Sequence, residues 1–176
     1  MKENLMKQQL WFTSIRFHFL KQSLCTVVYI LANFRALSCR LVSRGVPHII
    51  ASRTPCLGQL SLEDGLREAL VVLAVPAHVI LTLPLENLPK TSVVVDCSNR
   101  TSKCGEDEQS QAEQLAAALP SGPVVVKALN TVSAFFLEQV TEQRVKPVPI
   151  ASDSPSAKVS GTLKDLTLTF CPKIFS

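Results

Sequence analysis

Six short runs of β-forming residues recur along the chain, and they decide what it can fold into. They are "CTVVYIL" (Cys25 to Leu31), "HIIAS" (His48 to Ser52), "LVVLAV" (Leu70 to Val75), "SVVVDC" (Ser92 to Cys97), "PVVVKAL" (Pro123 to Leu129) and "KPVPIA" (Lys146 to Ala151). Their apolar residues are continuous rather than alternating, so each strand needs cover on both faces. The stretches between them have helical spacing. "NFRALSCRLVSRG" puts Phe34, Leu37, Leu41 and Val42 on one face and stops at Gly45, a good residue just past a helix end. "SLEDGLREAL" opens with Ser61 as N-cap and Asp64 three residues on, a weak form of the capping box. "SQAEQLAAALPSG" holds strong helix formers and ends at a proline and a glycine. This β-α alternation predicts an α/β fold, a mainly parallel sheet with right-handed crossovers and helices on both faces.

A chain of 176 residues, 47% apolar and 18% charged, has the composition of one globular domain with a sizeable core. The alternation starts only after Lys21. The expected division is therefore an N-terminal arm over 1–24 outside the core, the domain over 25–168 and a tail over 169–176. The net charge of +4 is scattered, with no basic run, which argues against a nucleic-acid partner. Six cysteines form no CxxC pair and have no histidine at ligand spacing, so no metal site is predicted and the thiols are read as reduced. His18, His48 and His78 lie far apart and are read as surface or strand-end residues. No apolar run reaches the roughly 20 residues of a membrane span. The longest, "SLCTVVYILANF", is bounded by Lys21 and Arg35. In the arm, Arg16 and His18 interrupt any signal-peptide core, while Glu3 as its single acid leaves a mitochondrial presequence as an alternative to a cytoplasmic location.

In parallel sheets of this kind, ligands bind beyond the carboxyl ends of the strands. Three of those ends are polar here. Ser52 and Arg53 follow the second strand, where a dinucleotide fold meets the adenosine ribose. An acid there favours NAD, whereas a guanidinium can hold a 2′-phosphate bidentately, so Arg53 points to NADPH. Asp96, Ser98 and Asn99 follow the fourth strand, and Lys127 and Asn130 follow the fifth, ahead of "NTVS", which can cap a helix. The plainer alternatives are a surface arginine, an Asx-rich turn at Asp96 to Asn99, a solvated Lys127 and a cap at Asn130 or Thr131.

"LANFRALSCRLVSRGVPHIIASR", "VVVDCSNRTS…SQAEQLAAALP", "VVVKALNTVSAFFLE" and "KPVPIASDSPSAKVSGTLKDL" together resemble the cytosolic oxidoreductase domain of the STEAP metalloreductases, itself similar to F420-dependent NADP oxidoreductases. The resemblance runs from about Thr26 to Leu166. Its most specific parts are the Val-Lys-Ala-Leu-Asn-Thr-Val-Ser-Ala run and the Asp96 to Asn99 turn. It implies a Rossmann-like single domain that binds NADPH, with FAD as a second cofactor, and passes electrons toward ferric or cupric ions. The haem of that family belongs to a membrane domain and is not expected in this chain. By resemblance, Ser52 and Arg53 would hold the 2′-phosphate and Ala74 and Val75 would line the cofactor's path. Ser98 and Asn99 would lie close to the dinucleotide, with Lys127, Ala128 and Asn130 near the nicotinamide and flavin rings. Hydride transfer between two bound rings needs no protein acid or base, so no catalytic residue is assigned.

Family members carry a Gly-x-Gly loop after the first strand, where only glycine lets the backbone approach a pyrophosphate. Here no glycine lies between Gln22 and Arg44, and the segment Ile30 to Asn33 stands in the loop's place. That departure supports a second reading, a non-catalytic Rossmann-like module acting, if at all, through association with other proteins; a homo-oligomer is a separate expectation under either reading. A third reading, an imine reductase like pyrroline-carboxylate reductase, shares the N-terminal fold but requires a helical dimerisation domain that does not follow here.

Overall fold

All five strands of the sheet are parallel and run in the order β2-β1-β3-β4-β5. They are β1 (Cys25–Tyr29), β2 (His48–Ala51), β3 (Leu70–Ala74), β4 (Val93–Asp96) and β5 (Val124–Lys127). The computed structural model describes residues 25–29, 35–43, 45–99, 109–138 and 148–155. The arm over 1–24, the tail over 169–176 and the Ile30 to Asn33 segment fall outside them. The result is one small α/β domain with a Rossmann-type sheet, as the alternation predicts.

The continuous apolar runs are explained by two cores, one on each face. Along β3, Leu70 and Val72 join Leu37, Leu41 and Leu137, whereas Val71, Leu73 and Val75 join Leu66, Ile80, Leu85, Leu88 and Leu115. Val71, Val72 and Leu73 have no exposed surface. Each contributes about 1.5–3 kcal/mol by burial. The first core is roofed by α1 (Arg35–Ser43) and α5 (Ala134–Glu138), the second by α2 (Leu62–Gly65), α3 (Ala77–Ile80) and α4 (Gln111–Ala118).

Gly45 ends α1 as its position predicts. Its φ of +67° is left-handed, its N–H reaches the carbonyl of Val42 at 3.0 Å, and the next N–H, of Val46, reaches Leu41 at 2.9 Å. This is the Schellman arrangement. Ser61 caps α2 through its Oγ, which accepts from the Asp64 N–H at 3.1 Å, but the helix is a single turn. Gly65 is a poor helix residue and β3 begins at Leu70, so no room remains for more. The complete capping box lies instead at α4, where the Ser110 Oγ accepts from the Glu113 N–H and the Glu113 carboxylate accepts from the Ser110 N–H at 2.6 Å. Between β3 and β4, Pro76, Pro84 and Pro89 cut the chain into α3 and a 3-10 turn at Leu85–Asn87.

The strand expected over Lys146 to Ala151 requires correction. Lys146 and Pro147 lie outside the described residues, and Val148 and Ala151 are isolated bridge residues, Ala151 pairing antiparallel with Lys127 at N–H···O distances of 2.8 and 3.0 Å. The residue two back from Ala151 is Pro149, which has no N–H to offer to the next rung. At the opposite edge Leu60 pairs in parallel with Ala51, again as one bridge. Counting that bridge as a vestigial third strand, the chain follows the 3-2-1-4-5-6 dinucleotide-fold order.

Candidate functional site

The carboxyl ends of the strands form one edge. In the sheet register Val28 pairs with Ala51, Tyr29 with Ala74, Leu73 with Asp96, and Asp96 with Lys127. Strand order reverses beside β1, so β1 and β3 flank a topological switch point, the usual ligand crevice of such sheets. Ser52 and Arg53 follow β2 on one side of it. Ala74 and Val75 lie at its rim, both buried, and Ser98, Asn99, Lys127, Ala128 and Asn130 lie on the far side. From β2 to β5 is four strand steps, about 19 Å at ~4.8 Å per step.

At the β2 end, the loop from Ser52 to Leu60 folds back on itself. The Ser52 N–H donates to Leu60 at 3.1 Å and the Leu60 N–H to Ile50 at 2.9 Å. The Ser52 hydroxyl donates to Gln59 Oε1 at 3.0 Å, and the same oxygen accepts from the Cys56 N–H at 3.2 Å. Ser52 therefore has its one hydroxyl proton committed, and an anion there would have to be met by Arg53. Arg53 is exposed and makes no hydrogen bond or ion pair among the described residues. Gln59 went unread in the sequence because nothing in "TPCLGQL" marks it out.

At the β4–β5 end the polar residues hold one another. Asp96 has no exposed surface, and its Oδ1 accepts from the Ser98 N–H at 2.8 Å, an Asx-type turn. Its Oδ2 takes the Lys127 ammonium at 2.8 Å, and the same ammonium donates to the Ser98 carbonyl and, at 3.4 Å, to the Ser98 hydroxyl. The Lys127 side chain is 21% exposed, so it is not the solvated strand-end charge of the plainer reading. Beyond this pair, the Asn99 amide donates to the Asn130 carbonyl at 2.9 Å and the Asn130 amide to Asn99 Oδ1 at 3.4 Å. Helix α5 begins only at Ala134, with the Leu137 N–H on the Ser133 carbonyl, so Asn130 and Thr131 precede the cap position.

Leu129 turns the chain between these groups with a φ of +62° although it is not glycine and is buried. Such a residue stores about 1–3 kcal/mol of backbone strain. Around it opens a cleft of ≈570 Å³ lined by Leu37, Cys97, Asn99, Leu129 to Ala134, and Leu137. No lining residue carries a charge. Asn99 and Asn130 thus meet at one cleft, Ser98 and Lys127 lie beside it, and Ser52 and Arg53 occupy the other end of the edge. The described residues contain no group of three side chains able to hold a metal, and no helix long and apolar enough to cross a membrane. His48 sits at the start of β2, its Nδ1 3.1 Å from the Val46 carbonyl and its Nε2 2.7 Å from the Ser38 hydroxyl.

No protein-family model matches the chain, and no curated protein matches it. Solved structures do share its fold. A hypothetical protein of Sinorhizobium meliloti, SMa0349, aligns at TM-score 0.75 and 23% identity over 89% of this chain and 86% of that one. An NADH-preferring ketol-acid reductoisomerase from an uncultured archaean aligns at 0.58 and 11% identity over 84% of this chain. A reductive aminase from Aspergillus terreus, in complex with NADPH and ethyl-5-oxohexanoate, aligns at 0.57 and 15% over 81%. The chain spans about half the length of these last two, 48% and 52%. The fold is thus a Rossmann-type α/β fold, shared with parts of these reductases.

Proposed function

We propose that this chain is an NADP(H)-binding oxidoreductase domain of the metalloreductase type, with the dinucleotide laid along the carboxyl edge from Arg53 to the Asn99–Asn130 cleft. The observation that carries the reading is the distribution of charge along that edge. Arg53, exposed and without a hydrogen bond or ion pair among the described residues, lies at the β2 end, where a ribose phosphate would sit, and the roomy cleft at the β4–β5 end is lined by uncharged residues. A 2′-phosphate suits the first and a neutral carboxamide-bearing ring the second. The residues present therefore fit the dinucleotide at both ends. NADPH supplies a hydride from its nicotinamide ring, which metalloreductase relatives deliver to a flavin such as FAD.

The chain's own side chains bind and orient. Arg53 meets the phosphate, and Gln59 locks the loop that carries it. Ala74 and Val75 offer a flat, small rim where the cofactor crosses the sheet. Asn99 and Asn130 present amides at the mouth of the cleft, while Leu37, Leu129 and Leu137 exclude water from its floor. Domain limits at 25–168 and a cytoplasmic location belong to the same proposal.

The test is calorimetric titration of NADPH and NADH onto the chain and onto Arg53→Ala. NADPH should bind more tightly, and the substitution should narrow the gap by about 1–2 kcal/mol, the lower part of the range for a charged hydrogen bond because Arg53 is exposed. Equal affinity for the two cofactors removes Arg53 from the site. Absence of binding to either leaves the non-catalytic module as the better account.

A further inference from the structure

Asp96 and Lys127 are the last paired residues of the two strands that border the cleft. Past them the chains diverge, one into Cys97 to Asn99 and the other into Leu129 to Ser133, and both segments line the cavity. The ion pair does not itself face that cavity. Along β4 and β5, Val95 and Val126 belong to the core under α1 and α5, so their neighbours Asp96 and Lys127 point to the opposite face of the sheet. A lysine placed at the candidate ligand edge is thus turned away and held from behind.

We infer that Asp96 and Lys127 are positioning residues: their ion pair, closed onto Ser98, fixes where the two cleft-lining loops leave the sheet and so brings Asn99 and Asn130 together. Three bonds converge for this purpose. The Asp96 carboxylate holds the Ser98 N–H at 2.8 Å with one oxygen and the Lys127 ammonium at 2.8 Å with the other, and the ammonium returns to the Ser98 carbonyl. Ser98 is thereby gripped at both its N–H and its carbonyl, and the next residue is Asn99. On the other strand the Ala128 N–H donates to the Asp96 carbonyl at 3.2 Å, which fixes the chain one residue ahead of the left-handed turn at Leu129. With both exits fixed, the Asn99 amide lies 2.9 Å from the Asn130 carbonyl. Lys127 then contributes no free cation to a ligand. What occupies the cleft rests on the function proposed above, whereas the clasp does not.

The experiment therefore reads the clasp directly. In nuclear magnetic resonance spectra the Asn99 and Asn130 side-chain amide signals, and the exchange rates of the Ser98 and Asn99 backbone N–H groups, are compared in the unmutated chain, Asp96→Asn, Lys127→Met and Lys127→Arg. Asp96→Asn and Lys127→Met should move both side-chain signals and speed exchange at Ser98 and Asn99 at least tenfold. The Val72 and Val94 amides should keep their protection, and Lys127→Arg, which can still bridge a carboxylate and a carbonyl, should restore most of the native pattern. Unmoved asparagine signals in both disruptive variants overturn the inference. So does equal loss of protection at Val72 and Val94, or a variant too unstable to give spectra together with failure of Lys127→Arg to rescue, because the pair then supports the whole fold and not the two loops. NADPH titrated onto the same variants should weaken while a 2′-phosphorylated adenosine fragment holds its affinity. If the unmutated chain binds neither, the nucleotide reading fails while the asparagine signals still decide the clasp.

Discussion

Replacing Gly122 by alanine should be among the most damaging single-methyl changes available to this domain. Gly122 lies in the turn between α4 and β5 with a φ of +126°, a conformation that residues with a Cβ rarely adopt. That alone costs about 1–3 kcal/mol. The added Cβ would also stand 2.5 Å from the Lys90 carbonyl oxygen and 2.8 Å from both Lys90 Cα and Cβ. Two of those three atoms are backbone, so relief requires moving the Lys90 segment against β4, about 1–3 kcal/mol more by analogy with overpacked cores. The sum centres on about 4 kcal/mol. Gly45→Ala is the control. Its φ of +67° is also left-handed, but no atom lies within 4 Å of its new Cβ, so only the conformational cost of about 1–2 kcal/mol applies. Urea unfolding of both variants, with slopes compared to exclude a change in the unfolded state, measures the difference. Local exchange at Val124, whose N–H donates to Ser92 at 2.9 Å, should rise in Gly122→Ala. If the two variants lose the same stability to within 0.5 kcal/mol, a margin of about the additivity error of distant sites, the steric argument is wrong.

Two further outcomes concern the acid side of stability and the first loop. Hydrogen bonds from the Ser110 side chain and then its backbone hold the Glu113 carboxyl below its usual value of 4.5. A depressed folded pKa means stability that is present above that value and lost as pH falls through the folded pKa. Unfolding midpoints at pH 3 and pH 7 should therefore lie closer together in Glu113→Gln than in the unmutated chain; an unchanged gap removes the capping box from the acid response. Rebuilding Ile30 to Asn33 as a Gly-x-Gly loop should strengthen NADPH binding far more than binding of the 2′-phosphorylated adenosine fragment, because under the proposed function only the whole dinucleotide carries the pyrophosphate that such a loop would meet. Calorimetry on both ligands checks it, and equal gains for the two refute a pyrophosphate role.

The β-α order was legible because burial on two faces leaves a continuous apolar run, and a run such as "LVVLA" has few other uses. Gly45 was legible too, since a glycine after a helical face has one common purpose. What escaped was set by register across the sheet. Asp96 and Lys127 are 31 residues apart, and only the β4–β5 pairing makes them partners. Read alone, Lys127 is a charge at a strand end; read beside Asp96, it is a tether. Leu129 escaped for a different reason, because nothing about leucine announces a left-handed turn. In the expected sixth strand, Pro149 has no N–H for a rung between Val148 and Ala151, and the described residues there form isolated bridges.

The bridge at Ala151 has a consequence for the sheet as a whole. A parallel sheet ends in two strands with an outer row of unpaired backbone groups, and such rows recruit strands from other molecules. Over β5 the Val148–Ser152 segment meets those groups: the Ala151 backbone takes both Lys127 positions, and the Ser152 hydroxyl donates to the Val125 carbonyl at 2.6 Å. Beside β2, Leu60 covers Ile50 and Ser52 in the same way, within a tight loop that continues into α2 rather than into another strand. Among the described residues both rims of the sheet are thus met by other backbone of the same chain, which leaves fewer open backbone groups for a second molecule's strand to pair with.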